Sequence, residues 1–236
     1  MTRQFYCSYG EHRLRSEILA IASVWLLVLG IILSPGASTA SAATAPLFSQ
    51  LRDGAQLLVV AAHRGGQESA PENTIEALRA ALAEGVDVVE TDVHLSADGV
   101  PVLIHDFSLD RTTNGSGPIW NRTADELKRL DAGSWYSEQY AGVAVPTLIE
   151  FLEALRGSPS FAILELKGPW MADGLETVAA EIRGSGLENR VMVASFDAMS
   201  LAKLARIAPE IQRIIIARDI VGDALRLAAY CGAVAV

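Results

Sequence analysis

A chain of 236 residues, half of them hydrophobic, holds enough apolar material for one well-buried core and too little for two large ones. The formal charge is −9; setting aside the three Arg and two Glu before residue 46 leaves 16 Lys/Arg against 26 Asp/Glu, a net −10. An acidic body excludes nonspecific nucleic-acid binding, which needs a basic face, but not a phosphate-bearing substrate, because one metal ion and two basic side chains reverse the sign locally.

Residues 1–17 are polar and carry Arg3, Arg13 and Arg15; residues 18–33 are uncharged and apolar; residues 34–45 are small, with A-x-A triplets at Ala40/Ala42 and Ala43/Ala45. This is the order of a secretory signal, and sixteen apolar residues fall short of the ~20 of a spanning helix. Residues 1–45 are therefore expected to be a signal peptide or N-terminal membrane anchor. The rest of the chain is expected to be exported, periplasmic or extracellular, with membrane association only through residues 18–33. With the N-terminus removed, Cys231 is the one cysteine left, and a disulfide framework within the chain is excluded.

From residue 57 the pattern alternates. An apolar run, 57–62, ends at His63. Pro71-Glu72-Asn73-Thr74 opens a helix that Asn73 or Thr74 caps, with Ile75, Leu78, Ala81 and Leu82 as its stripe and Gly85 as its stop. Residues 86–95 form a second strand, Ala97-Asp98-Gly99 a turn, and 100–105 a third strand. An irregular stretch, 107–145, follows, with a capping box at Thr123 and Glu126; its four aromatics Phe107, Trp120, Trp135 and Tyr136 argue for order. Helices are expected at 147–156, 172–184, 198–207 and 219–230, and strands at 161–167, 190–196, 211–217 and 232–236.

Alternating β and α units with short connections imply a parallel sheet. Six strands and the start of a seventh suit an eight-stranded (β/α)8 TIM-type barrel, incomplete in the sequence as given, and His63-Arg64-Gly65-Gly66 is not a dinucleotide-binding turn. Chemistry in such barrels sits at the C-terminal ends of the strands. His63, Glu90, Asp92, His105, Glu165, Lys167 and Ser195 are all expected there.

Glu90 and Asp92 are two apart on one strand and face the same side. Buried together they need a cation. With Glu165 they offer three hard oxygen ligands, which suit one divalent ion, Ca²⁺ or Mg²⁺, better than zinc; the plainer alternative is a salt-bridge cluster with Arg64 and Lys167. His63 and His105 end different strands and suit proton transfer to and from one substrate. Arg64 and Lys167 suit a phosphate. His94 is read as an exposed or secondary contact, Asn73 as a helix cap that also holds the loop after strand one, Ser195 as a weak candidate for a rim hydroxyl, and Trp135 as a pocket or core aromatic. No G-x-S-x-G elbow is present, which disfavours a serine hydrolase.

HRG and PENT (63–65, 71–74), ETD (90–92), the DG turn (98–99), HD and LDRTTNG (105–115), the EL and LDAGSW elements (126–135), VPTL (145–148), ELK (165–167) and ASF (194–196) occur in this order. As a set they resemble the glycerophosphodiester phosphodiesterase family over residues 58–236. The resemblance implies a (β/α)8 barrel with an insertion after strand three, matching 107–145, and a barrel that the given sequence leaves at strand seven. It implies a metal held by Glu90, Asp92 and Glu165, an acid/base pair in His63 and His105, and phosphate contacts from Arg64 and Lys167. The implied reaction is hydrolysis of a small-molecule glycerophosphodiester to sn-glycerol 3-phosphate and an alcohol. Two other readings compete: phospholipase D-like action on lysophospholipid or sphingomyelin, and a catalytically silent phosphodiester-binding protein.

Overall fold

The computed structural model describes residues 59–218 and 223–236. The expected signal or anchor segment lies outside the described residues. Strands β1 (Ala61–Ala62), β2 (Val88–Leu95), β4 (Phe161–Leu166), β5 (Val191–Ser195) and β6 (Gln212–Ile215) form a parallel sheet in the order β1-β2-β4-β5-β6. Helices α1 (Ile75–Ala83), α3 (Leu148–Arg156), α4 (Ala172–Ser185), α5 (Ala198–Ile207) and α6 (Ala224–Cys231) lie between or after the strands, and α2 (Ala124–Lys128) belongs to the segment before α3.

The two faces of the sheet differ in kind. Val89, Val93, Leu164, Leu166, Val191 and Val193 face the helices and join Leu78, Leu152, Val178 and Leu204 in the main core. The helices pack in sequence, α1 on α3, α3 on α4, α4 on α5 and α5 on α6, as one layer. The opposite face packs Val88, Ile163, Met192, Ala194 and Ile214 against one another and against Ala61, Phe161 and Ile216, all from strands or their immediate extensions. One helical layer around a sheet whose other face meets only strand residues is barrel geometry; a doubly wound sheet has helices on both faces.

The expected third barrel strand is corrected. Pro101–Leu103 (β3) pairs antiparallel with β2, Val93 opposite Leu103 and Leu95 opposite Pro101. A short apolar run reads alike in a hairpin and in a parallel strand; here the turn around Asp98-Gly99, with Gly99 at φ 77°, sends the chain straight back along β2. The expected seventh strand therefore takes the sixth parallel position, where Ala235 bridges Ile214 of β6.

The stretch after β3 is ordered. Leu109, Ile119, Leu127, Ala132 and Val145 close a small core of their own with Val102 and Ile104. Thr123 and Glu126 form the expected capping box on α2, and Thr147 and Glu150 form a second on α3.

Candidate active site

The inward face of β2 reads Val88, Glu90, Asp92, and that of β4 reads Phe161, Ile163, Glu165, apolar at the base and acidic at the C-terminal end. Register sets Asp92 directly beside Glu165. One carboxylate oxygen from each of Glu90, Asp92 and Glu165 lies within 4.8 Å of the others. Lys167, two residues past Glu165, places Nζ 2.8 Å from Asp92 Oδ1 and 2.7 Å from Glu165 Oε1. Burial alone would lower the Lys167 ammonium, but the Asp92 and Glu165 carboxylates outweigh it and raise it.

Glu90 is served differently. Its Oε2 accepts the backbone N–H of Arg64 at 2.8 Å, while its buried Oε1 has no hydrogen-bond partner. Burial, then the Asp92 carboxylate, push its carboxyl far above the usual carboxylate range. Five acidic groups (Glu72, Glu90, Asp92, Asp106, Glu165) face three cations (Arg64, Arg111, Lys167), two positive charges short of balance. An orphaned buried oxygen inside an undercompensated, all-oxygen cluster fits a hard divalent cation. The plainer salt-bridge reading holds for Lys167 but leaves Glu90 unexplained.

His63 follows β1 in a tight turn, His63–Gly65, with Arg64 in the left-handed region at φ 51°. A non-glycine residue held there costs about 1–3 kcal/mol and marks a position set by its surroundings; here the twist points the Arg64 amide at Glu90. A side chain at Gly65 would meet Leu78 N and Ala77 Cβ of α1 at a tight 3.3 and 3.4 Å and would be strained at φ 75°, so glycine suits the close approach of the turn to that helix. His63 Nε2 is 3.9 Å from Glu90 Oε2. Burial, then the Arg64 guanidinium, lower its pKa, and His105 is near enough to add to the effect.

His105, past β3, sets Nδ1 2.7 Å from Asp106 Oδ1. Asp106 is itself gripped by Arg111, Nε to Oδ2 at 2.7 Å and Nη2 to Oδ1 at 2.9 Å. The Arg111 hydrogen bonds hold the Asp106 carboxyl far below its ordinary range. An ionised Asp106 can only accept, so the proton of the pair lies on His105 Nδ1 and Nε2 is turned away from Asp106.

His63, Arg64, Glu90, Asp92, His105, Glu165 and Lys167 thus sit at one end of the sheet or in the loops leaving it. Four other expectations change. Thr74 caps α1, accepting from Ala77 N, whereas Asn73, in the left-handed region at φ 57°, donates to Asp92 Oδ2 at 2.8 Å and accepts from Thr91 Oγ1 and Asp92 N. Ser195 faces the helix side, fully buried, donating to Leu166 O; strand parity takes it off the rim. His94 is buried, not exposed: its Nε2 lies 3.2 Å from the His105 carbonyl, an acceptor, so Nε2 carries the proton, and burial pushes its pKa down to about 4. Of the two readings of Trp135, the core one falls: the ring is exposed and donates Nε1–H to Ala132 O. Sequence reasoning also missed Glu72 and Arg111. They are 39 residues apart, and only the capping-type PENT run and the Asp110-Arg111-Thr112-Thr113 loop hinted at either.

Comparison with known proteins agrees with this geometry. A family model described as glycerophosphoryl diester phosphodiesterase family matches residues 63–236. A glycerophosphodiester phosphodiesterase of Caldanaerobacter subterraneus is 39% identical over 156 residues, 65% of this chain and 64% of the relative. One of Bacillus altitudinis is 39% identical over 163 residues, 68% of this chain and 66% of the relative. The chain thus spans about two thirds of the length of these relatives. The crystal structure of a glycerophosphodiester phosphodiesterase from Agrobacterium tumefaciens superimposes with a TM-score of 0.67 at 38% identity, covering 75% of this chain and 74% of the other. An Oleispira antarctica phosphodiesterase, solved with the product sn-glycerol-3-phosphate, gives 0.69 at 33% identity, covering 80% and 75%. These neighbours are (β/α)8 barrels, the architecture argued above from the two faces of the sheet. Matched over nearly all of its described residues, the chain belongs to the glycerophosphoryl diester phosphodiesterase family.

Proposed function

We propose that this chain carries out metal-assisted hydrolysis of a glycerophosphodiester, releasing sn-glycerol 3-phosphate and an alcohol. The observation that carries the proposal is the carboxylate trio at the mouth of the barrel with Glu90 Oε1 unpaired, beside two histidines on separate loops. Glu90, Asp92 and Glu165 would hold one divalent cation, Ca²⁺ or Mg²⁺. When bound, the cation supplies positive charge for the phosphoryl oxygens and for the attacking or leaving oxygen.

The rest falls to the chain's own groups. Arg64 and Lys167 bring two cationic heads to the same rim, where a phosphodiester anion is held and its transition-state charge is met by fixed donors. His63, its pKa lowered chiefly by burial, accepts the proton of the attacking oxygen, and His105, entering the step with a proton on Nε2 as well as the one that Nδ1 directs to Asp106, gives the Nε2 proton to the leaving oxygen. The attacking oxygen is the glycerol 2-hydroxyl, by way of a cyclic phosphate that water opens, or water itself; both routes use the same pair. We place the reaction outside the cytoplasm on the pattern of residues 1–45 alone; among the described residues no helix is long and apolar enough to cross a membrane.

The test is release of sn-glycerol 3-phosphate from glycerophosphocholine by the full chain, with Ca²⁺, with Mg²⁺ and with a chelator, beside micellar lysophosphatidylcholine. Chelator-sensitive release from the soluble diester is expected. Turnover of the micellar lipid alone would favour the phospholipase D-like reading, and cation binding with no turnover of either substrate would favour a silent binding protein.

A further inference from the structure

Arg111 lies in the segment after β3, six residues past His105, and none of the proposed chemistry uses it. Its guanidinium nonetheless sits at the centre of an unbroken chain of charged contacts. On one side it makes the two bonds to Asp106 already described, and Asp106 receives His105 Nδ1. On the other, Nη1 and Nη2 reach Glu72 Oε2 and Oε1 at 2.9 and 2.7 Å, and Glu72 Oε1 also accepts from Arg64 Nη1 at 2.9 Å. The order is His105, Asp106, Arg111, Glu72, Arg64.

From this geometry we infer that Arg111 is a positioning residue: it locks Asp106 and thereby holds His105 in the tautomer and orientation that present Nε2 to the substrate, with Glu72 as its anchor. The inference rests on the acid/base reading of His105 given above. Three observations support it. The Asp106 carboxylate is partly exposed and would rotate freely about its side-chain torsions without a planar two-pronged donor. Arg111 itself is held from behind, because Leu109 and Thr112 on either side are buried in the insertion and Thr113 bonds back to Leu109 O through both N and Oγ1. Glu72 is almost wholly buried and is kept ionised by Arg111 and Arg64 together, against the pull of burial. Through Arg111 the insertion reaches the site, and what that side chain grips is the partner of a proton-transfer group.

A lysine cannot reproduce the arrangement, since one ammonium has no two-pronged fork to offer Asp106 while also binding both Glu72 oxygens. The experiment is a kinetic cycle on the full chain with glycerophosphocholine, using Arg111→Ala, Arg111→Lys, Asp106→Asn and the Arg111→Ala/Asp106→Asn pair. Partners of this kind typically carry 10- to 100-fold in activity, so kcat should fall by about that factor in Arg111→Ala with KM changed less than about threefold. Arg111→Lys should recover only part of the loss, and millimolar guanidinium should restore Arg111→Ala. In the Asp106→Asn background, removing Arg111 should cost little more, because the effect runs through Asp106. The ¹⁵N spectrum of His105 should show Nδ1 protonated in the parent and a tautomer mixture in Arg111→Ala. Wild-type kcat in Arg111→Ala, or a full additional loss in the Asp106→Asn background, would overturn the inference. Should Arg111→Ala fail to fold, the Arg111→Lys and Asp106→Asn comparison decides alone, with equal kcat in Arg111→Lys and the parent as the contrary result. His105→Ala separates the levels: an inactive His105→Ala beside a fully active Arg111→Ala sinks only this inference, while an active His105→Ala sinks the acid/base reading itself.

Discussion

Two buried or half-buried arginines in this molecule are treated in opposite ways. Arg213, on the helix-facing side of β6, makes no ion pair with a carboxylate among the described residues, and the Glu210 charge acts on it only weakly. It donates to Cys231 O at 3.2 Å, Gly232 O at 3.0 Å and Ala208 O at 3.5 Å, carbonyls at or just past the ends of α5 and α6, and to Ile211 O at 2.5 Å, just before β6. Each guanidinium nitrogen has a partner, and the negative ends of two helices balance the charge. Arg64 is wedged among carboxylates, held at a strained φ, and its buried Nε lacks a hydrogen bond, as does Glu90 Oε1. A side chain that serves the fold is satisfied by the fold. At the barrel mouth, polar atoms are left over, and they are the ones a cation and an anionic substrate would take up.

The contrast can be broken from either side. The largest effect is expected from the proton-transfer pair: His63→Ala or His105→Ala should lower kcat by about 10²- to 10⁴-fold while cation affinity, read by calorimetry, stays nearly unchanged. Glu90→Gln comes next. It removes the unpaired oxygen's charge and should weaken cation binding and activity together, by about 10- to 100-fold; the same variant should not lower thermal stability, because it relieves an uncompensated carboxylate. Arg213→Met should do the reverse. Orphaning several buried carbonyls should cost about 3 kcal/mol of stability in a urea titration, with cation affinity of the folded protein unaltered.

The smallest effect concerns acid. The Glu72 and Asp106 carboxyls are held below their ordinary values of 4.5 and 3.8. Groups lowered in the folded state contribute stability that is complete above those values and lost as pH falls through the folded ones. Wild-type protein should therefore lose more of its urea resistance between pH 6 and pH 3 than Glu72→Gln does. Equal losses would mean that ionised Glu72 contributes nothing to the fold.

How much of this could be read in the sequence depends on range. Glu90, Asp92, Glu165 and Lys167 were legible because charges at alternate positions ending apolar runs have few structural reasons to be there, and strand parity puts them on one face. His63 and His105 were legible as strand-end imidazoles beside that cluster. Ser195 misled for the same reason in reverse: it stands at a strand end, but on the odd parity, and it points at the helices. The β2–β3 hairpin was hidden because residues 100–104 are apolar on both faces, Val102 and Ile104 packing in the insertion core and Leu103 in the main core. Asn73 looked like a cap because it stands one residue before the true cap, Thr74, and its left-handed twist, which turns the side chain to Asp92, has no mark in a single sequence. Glu72, Asp106 and Arg111 assemble from two loops, and a pairing over 39 residues leaves no periodic trace.

The central claim is that the unpaired oxygen of Glu90 marks the place of a divalent cation on which turnover depends. The direct measurement is to titrate chelator-stripped full-length protein with Mg²⁺ and with Ca²⁺, following calorimetric binding and sn-glycerol 3-phosphate release in parallel, for the wild type and for Glu90→Gln. The account predicts one cation per chain, activity rising in step with occupancy, and both lost together in Glu90→Gln. Full activity in the stripped protein, or cation binding that ignores Glu90→Gln, would contradict it.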